Sequence, residues 1–172
     1  GDPLRLGKFR LRFPRSKHAP LPPLLAGAAG ADRAIQRPLI LPAPARDFRA
    51  GPHRDVHLAH PQGSVLVRGS AGHVPGALSD LDADVILTSI AGLAKQSRAY
   101  QREFVQHGLK ASNPEWILPM DWDDVARPVS ADAPLPPLLL GNVRSSLRVL
   151  HQRLDDAAAR MRLTRPLWRL RL

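Results

Sequence analysis

Proline decides first what this chain can build. Between residues 19 and 62, prolines stand at positions 20, 22, 23, 38, 42, 44, 52 and 61. Each fixes its own φ and removes a backbone donor, so no long helix can run through the stretch, and extended or polyproline segments are favoured. A free domain rarely carries a structureless stretch of roughly 40 residues. Leu21, Leu24, Leu25, Leu39, Ile40 and Leu41 within it suit a segment laid along a partner's surface better than a free coil. With 18 prolines, 12 glycines and few aromatics among 172 residues, we expect a mainly α chain. Its parts are a small antiparallel helix pair, long irregular, proline-rich arms and short strand-like basic termini.

The net charge of +10 sits at the two ends. Residues 1–20 hold Arg5, Lys8, Arg10, Arg12, Arg15 and Lys17 against Asp2 alone. Residues 158–172 hold Arg160, Arg162, Arg165, Arg169 and Arg171 and no acid. The body between them is neutral. Such ends suit a component that grips something polyanionic or acidic. Only Lys8, Lys17, Lys95 and Lys110 are lysines; every other cation is arginine, the residue that forks onto phosphate or carboxylate. GC-rich codons produce the same bias together with Ala, Pro and Gly.

The pattern places these charges. From Lys8 to Phe13, cations and apolar residues alternate. A strand would put Phe9, Leu11 and Phe13 on one face and Lys8, Arg10 and Arg12 on the other. Gly7 shifts the parity and reads as a bulge. Residues 63–69 read as one short strand between glycines. The best helix is expected over 80–107, with Ser79 as N-cap, Asp80, Asp82 and Asp84 at its positive end, and Gly108 as its stop. Its stripe is Ile86, Ile90, Leu93, Ser97, Tyr100 and Phe104. A second helix is expected over 143–163, with Leu147, Leu150, Leu154 and Met161 on its apolar side. The two stripes would pack as a pair, joined by the connection 109–141. This divides the chain into a basic arm (1–18), an extended segment (19–78), a helical core (79–163) and a basic tail (164–172), where alternation returns from Leu167 to Leu172.

Candidate chemistry is sparse. His53, His57 and His60 have helical spacing, but Pro52 and Pro61 bracket them, so we read loop histidines and no metal site. Asp121, Asp123 and Asp124 lack the glycine and terminal glutamate of a calcium loop. Gly69-Ser70-Ala71-Gly72-His73 lacks the Gly-Lys-Ser/Thr ending of a phosphate loop, and Ser70 lies in no nucleophile elbow. Ala-Pro-Leu-Pro-Pro-Leu-Leu recurs at 19–25 and 133–139, either as a docking element or as chance in a Pro/Leu-rich chain. With no cysteine, disulfides and thiolate sites are excluded. No apolar run is long enough for a transmembrane helix.

These features point to a non-catalytic structural subunit without cofactor. The leading expectation is a ribonucleoprotein and, within that class, a mitochondrial ribosome. Its RNA phosphate backbone would meet Arg5, Lys8, Arg10, Arg12, Arg15, Lys17, Arg160, Arg162, Arg165, Arg169 and Arg171. Ile86, Ile90, Leu93, Tyr100, Phe104, Leu147, Leu150, Leu154 and Met161 would form the core that docks against other protein subunits. The alternative is a soluble accessory subunit of a respiratory-chain or ATP-synthase complex, with the basic ends on acidic subunits or an anionic membrane surface. The start Gly1-Asp2-Pro3, without methionine, suits removal of a targeting peptide and a place on the matrix side of mitochondria.

Overall fold

The computed structural model describes residues 3–20, 38, 40–42, 52–120, 137–138, 141–154 and 160–162. In chain order the strands among them are β1 (Leu4–Leu6), β2 (Phe9–Arg12), β3 (Val56–His60), β4 (Gly63–Arg68), β5 (Val85–Ser89), β6 (Trp116–Met120), β7 (Pro137–Leu138), β8 (Gly141–Asn142) and β9 (Arg160–Met161). Two α-helices, α1 (Arg98–Glu103) and α2 (Val143–Leu154), accompany them. Seven strands form one mixed sheet in the order β1-β2-β3-β4-β5-β6-β9, while β7 and β8 pair separately. The first four are antiparallel neighbours; β4, β5, β6 and β9 are parallel.

The expectation of a mainly α chain is therefore overturned: a seven-stranded sheet dominates, with short helices packed on it. The predicted helix over 80–107 is replaced at its start by β5. Its run Val85-Ile86-Leu87-Thr88-Ser89 is rich in β-branched residues, which favour pleated backbone. Flanked by β4 and β6 and nearly buried on both faces, β5 shows the continuous apolar run of a central parallel strand. Only Arg98–Glu103 is α-helical, continued by a π-helical turn over Phe104–Leu109. Asn113, at φ 48, ends the segment, and Gly108 lies inside it. The second helix is present but shorter than expected, and Met161 belongs to β9. Part of the proline-rich stretch expected to be irregular, Val56–His60, is a strand that Pro52 and Pro61 bound. Gly7 makes a turn, not a bulge. Position 63–68 is a strand, as its flanking glycines suggest.

Register fixes the two faces of the sheet. Arg12, His57, Leu66, Ile86, Ile117 and Met161 stand opposite one another in sequence across six strands. On this face Leu66, Ile86 and Ile117 are fully buried and pack with Phe104, Val105, Leu109, Leu150 and Leu154. Each such side chain contributes about 1.5–3 kcal/mol through burial. The other face carries the row Leu4, Leu11, Leu58, Val65, Val85, Trp116 and Arg160.

The expected capping roles of the aspartates are replaced by sheet contacts. Asp84 accepts from the Ser64 backbone N–H at 2.6 Å and from its hydroxyl at 2.9 Å. The Asp82 carbonyl lies 2.9 Å from His57 Nε2, and Asp80 meets Arg12. Ser79 sits in a turn and donates to the Gly76 carbonyl.

Candidate functional site

The N-terminal hairpin segregates charge from apolar surface. Gly7 has φ 60, which suits the first position of the two-residue turn it forms with Lys8. The register pairs Leu6 with Phe9, Arg5 with Arg10 and Leu4 with Leu11. Directly opposed residues share a face, so Arg5 and Arg10 project together from one side, and the leucines and Phe9 from the other. Arg5, Lys8 and Arg10 are exposed, and among the described residues no carboxylate pairs with them. Like charges opposed across strands repel, so an anion placed between them is favoured. At the hairpin tip a groove of about 330 Å³ is lined by Arg5, Lys8, Phe9, Arg10, Ala59 and His60, with the Phe9 and His60 rings 4.9 Å apart.

The other predicted cations are placed differently. Arg12 donates to the Asp80 carboxylate and, at 3.1 Å, to its backbone carbonyl. That hydrogen bond holds the Asp80 carboxyl below its usual range. Arg15 and Lys17 are exposed, and the Arg15 backbone bridges to Arg54. Arg160 lies at the far edge of the sheet, its guanidinium 5.5 Å from the Trp116 ring centre. Arg162 is half-buried beside it. The fold thus gathers Arg5, Lys8 and Arg10 at the hairpin and sets Arg160 and Arg162 at the opposite end of the sheet order. Arg165, Arg169 and Arg171 lie outside the described residues, as do Asp121, Asp123, Asp124 and most of both heptapeptide copies.

The residues expected to dock partners build this chain's own core. Ile86, Ile90, Leu93, Phe104, Leu150 and Leu154 are buried in it, and Tyr100, Leu147 and Met161 pack against it. His57 is buried beneath the sheet row, His60 lies against Phe9, and His53 faces His18 at 5.4 Å. Among the described residues no three His, Asp or Glu side chains stand together to hold a metal, and no helix is long and apolar enough to cross a membrane.

A buried polar cluster at the end of β4 escaped the sequence reading. Arg68 donates from Nε to Asp55 at 2.9 Å, from Nη1 to the Gly108 carbonyl at 2.8 Å and from Nη2 to the Gly72 carbonyl at 2.5 Å. Beside it, His73 Nε2 stands 3.5 Å from Glu103, and its ring packs on Tyr100 and His107. Burial lowers the His73 pKa from its usual 6.5 and raises Tyr100 to about 12. The glycine-rich loop here is a structural tie: Gly72 receives Arg68, the Ser70 hydroxyl accepts from the Ala19 N–H at 2.8 Å, and Tyr100 donates to the Ala71 carbonyl at 3.1 Å. The available signal was Arg68 itself, a lone cation closing the apolar run Val65-Leu66-Val67.

No protein-family model matches the chain, and no curated protein is significantly similar to it.

Proposed function

We propose that the chain is a non-catalytic subunit of a ribonucleoprotein that grips the RNA phosphate backbone with the cationic face of its N-terminal hairpin. The observation that carries this reading is the opposed pair Arg5 and Arg10, exposed and without a carboxylate partner among the described residues. Guanidinium forks match phosphate oxygens, and neutralising phosphates releases counterions. On the reverse face Leu4, Leu6 and Phe9 remain about half exposed, at 50%, 57% and 48%. Apolar groups clustered this way suit a permanent seat against protein. One side of the hairpin then meets RNA and the other a neighbouring subunit.

A second reading, an accessory subunit on an anionic membrane surface, draws on the same leucines beside Lys8. Fluorescence anisotropy of a labelled single-stranded RNA with the full chain, over a salt series, separates the two. RNA binding that weakens linearly in log–log salt, with a slope about 0.7 shallower per cation removed in Arg5→Gln/Arg10→Gln, supports the first reading. Salt-insensitive or absent RNA binding, with retention on phosphatidylserine vesicles, replaces it by the second.

A further inference from the structure

Three arginines converge on a cleft that the hairpin does not share. It has a volume of about 580 Å³ and is walled by Arg98, Gln101 and Arg102 on one side and by Val149, Gln152 and Arg153 on the other. Arg98 and Arg102 are four residues apart on α1; Val149, Gln152 and Arg153 are three and four apart on α2. Each set therefore occupies one helix face, and the two faces border the same space. Among the described residues no lining residue is acidic. Glu103, the acid of α1, is turned to His73 instead. Among the described residues none of the three arginines has a carboxylate partner, although Arg153 is half-buried.

Like charges at i and i+4 on a helix repel, and a third guanidinium across the cleft adds to that cost. The wall that carries them is nevertheless held in place. Gln101 is buried and donates to the Leu93 and Gln96 carbonyls at 3.3 and 3.0 Å, and Gln96 donates to the Pro20 carbonyl at 2.8 Å. Ser146 fixes α2 to the same turn by accepting from the Ala94 N–H at 3.3 Å. Cations kept together on a fixed frame are preorganised for an anion.

We infer that this cleft is a binding site for a small ligand carrying two or more phosphate groups. Three forks offer more donors than one carboxylate can accept, and set around a cleft of about 580 Å³ they are best engaged together by phosphate groups spaced apart, each fork binding through paired N–H donors. The volume lies in the range of small-molecule sites. Among the described residues Ala94 and Val149 are its apolar lining and no aromatic ring lines it, so recognition falls on the phosphates and not on a base.

Isothermal titration of the full chain tests this, with inorganic phosphate, pyrophosphate and ADP as probes. The expected result is one saturable site for pyrophosphate, with inorganic phosphate much weaker. Affinity for ADP equal to that for pyrophosphate supports recognition of the phosphate pair alone; tighter ADP binding supports a nucleotide as the source. Arg98→Gln and Arg153→Gln each weaken pyrophosphate binding roughly tenfold or more, while Arg5→Gln/Arg10→Gln leaves it unchanged. Arg153→Lys keeps the charge but loses the fork, and is expected to fall between Arg153→Gln and the parent. All variants are compared at an unchanged thermal midpoint. Absent saturable binding, equal affinity for phosphate and pyrophosphate, or equal loss in the hairpin variant overturns the inference. So does a loss of RNA binding, without pyrophosphate binding, in the Arg98 and Arg153 variants.

Discussion

The Arg68 guanidinium meets the Asp55 carboxylate at 2.9 Å with both side chains almost wholly buried. Through Gly72 and Gly108 the same guanidinium ties the start of β3 to the loop after β4 and to the π-helical turn. Removing it strands the Asp55 charge in the interior. Arg68→Ala is expected to lower stability by about 3–5 kcal/mol in urea unfolding. Arg68→Met combined with Asp55→Leu should recover most of that loss, since a buried pair replaced by apolar groups of similar volume is often neutral. A loss below about 1 kcal/mol for the single variant would place the pair among weak surface bridges.

His73 makes stability depend on pH. Burial lowers its folded pKa below 6.5, and Arg68 and His107 act in the same direction against Glu103. The unfolded chain then binds the proton more readily. Stability is highest above about pH 6.5 and falls as pH drops through the unfolded value towards the folded one. Tyr100, whose ring packs on His73, ionises far above that window, at about 12. Urea midpoints measured from about pH 7.5 down to 5 should show the decline, and His73→Phe should flatten it.

Tyr100 is the chain's sole tyrosine, so the tyrosinate absorption band reports on it alone. In the folded protein the phenol should ionise at about 12, raised chiefly by burial. In denaturant it should return to the ordinary value of about 10. Folding is accordingly weakened as pH rises above the unfolded value. Tyr100→Phe loses the hydrogen bond to the Ala71 carbonyl and should cost about 1 kcal/mol at neutral pH.

Two glycines of one loop should differ sharply. A Cβ at Gly72 would lie 2.6 Å from the Lys17 carbonyl carbon and 2.9 Å from that of His18, and backbone cannot step aside as a side-chain tip can. Gly72→Ala is expected to cost about 1–3 kcal/mol. At Gly69 a Cβ meets nothing within 4 Å, and Gly69→Ala should stay within about 0.5 kcal/mol of the parent. Thermal unfolding of the two variants side by side decides it.

How much could be read from the sequence depends on how local each signal is. The strand character of 4–12 was legible because alternation of Arg with Leu or Phe is a property of neighbours in the chain, but the turn at Gly7 that folds it into a hairpin was not, because a lone glycine in a strand pattern also fits a bulge. The strand at 63–68 was legible from its flanking glycines. β5 was not, because a central parallel strand is apolar on both faces, and a short apolar run does not distinguish strand from helix. Ile86, Ile90 and Leu93 were rightly singled out as apolar, yet they reach the core from a strand, a loop and a 3-10 turn. The Arg98, Arg102 and Arg153 cleft was illegible for another reason: its walls come from segments whose distance is closed only by the sheet beneath them.

In the seven-stranded sheet, spatial order follows chain order from β1 to β9. Every strand joins the edge left by the one before it, and none must insert between two already paired. The sheet can therefore grow from the N-terminus as the chain is synthesised, with each emerging strand finding its template already complete. Misassembly through a late strand displacing an early one, a hazard where strand order is shuffled, has no place in this topology.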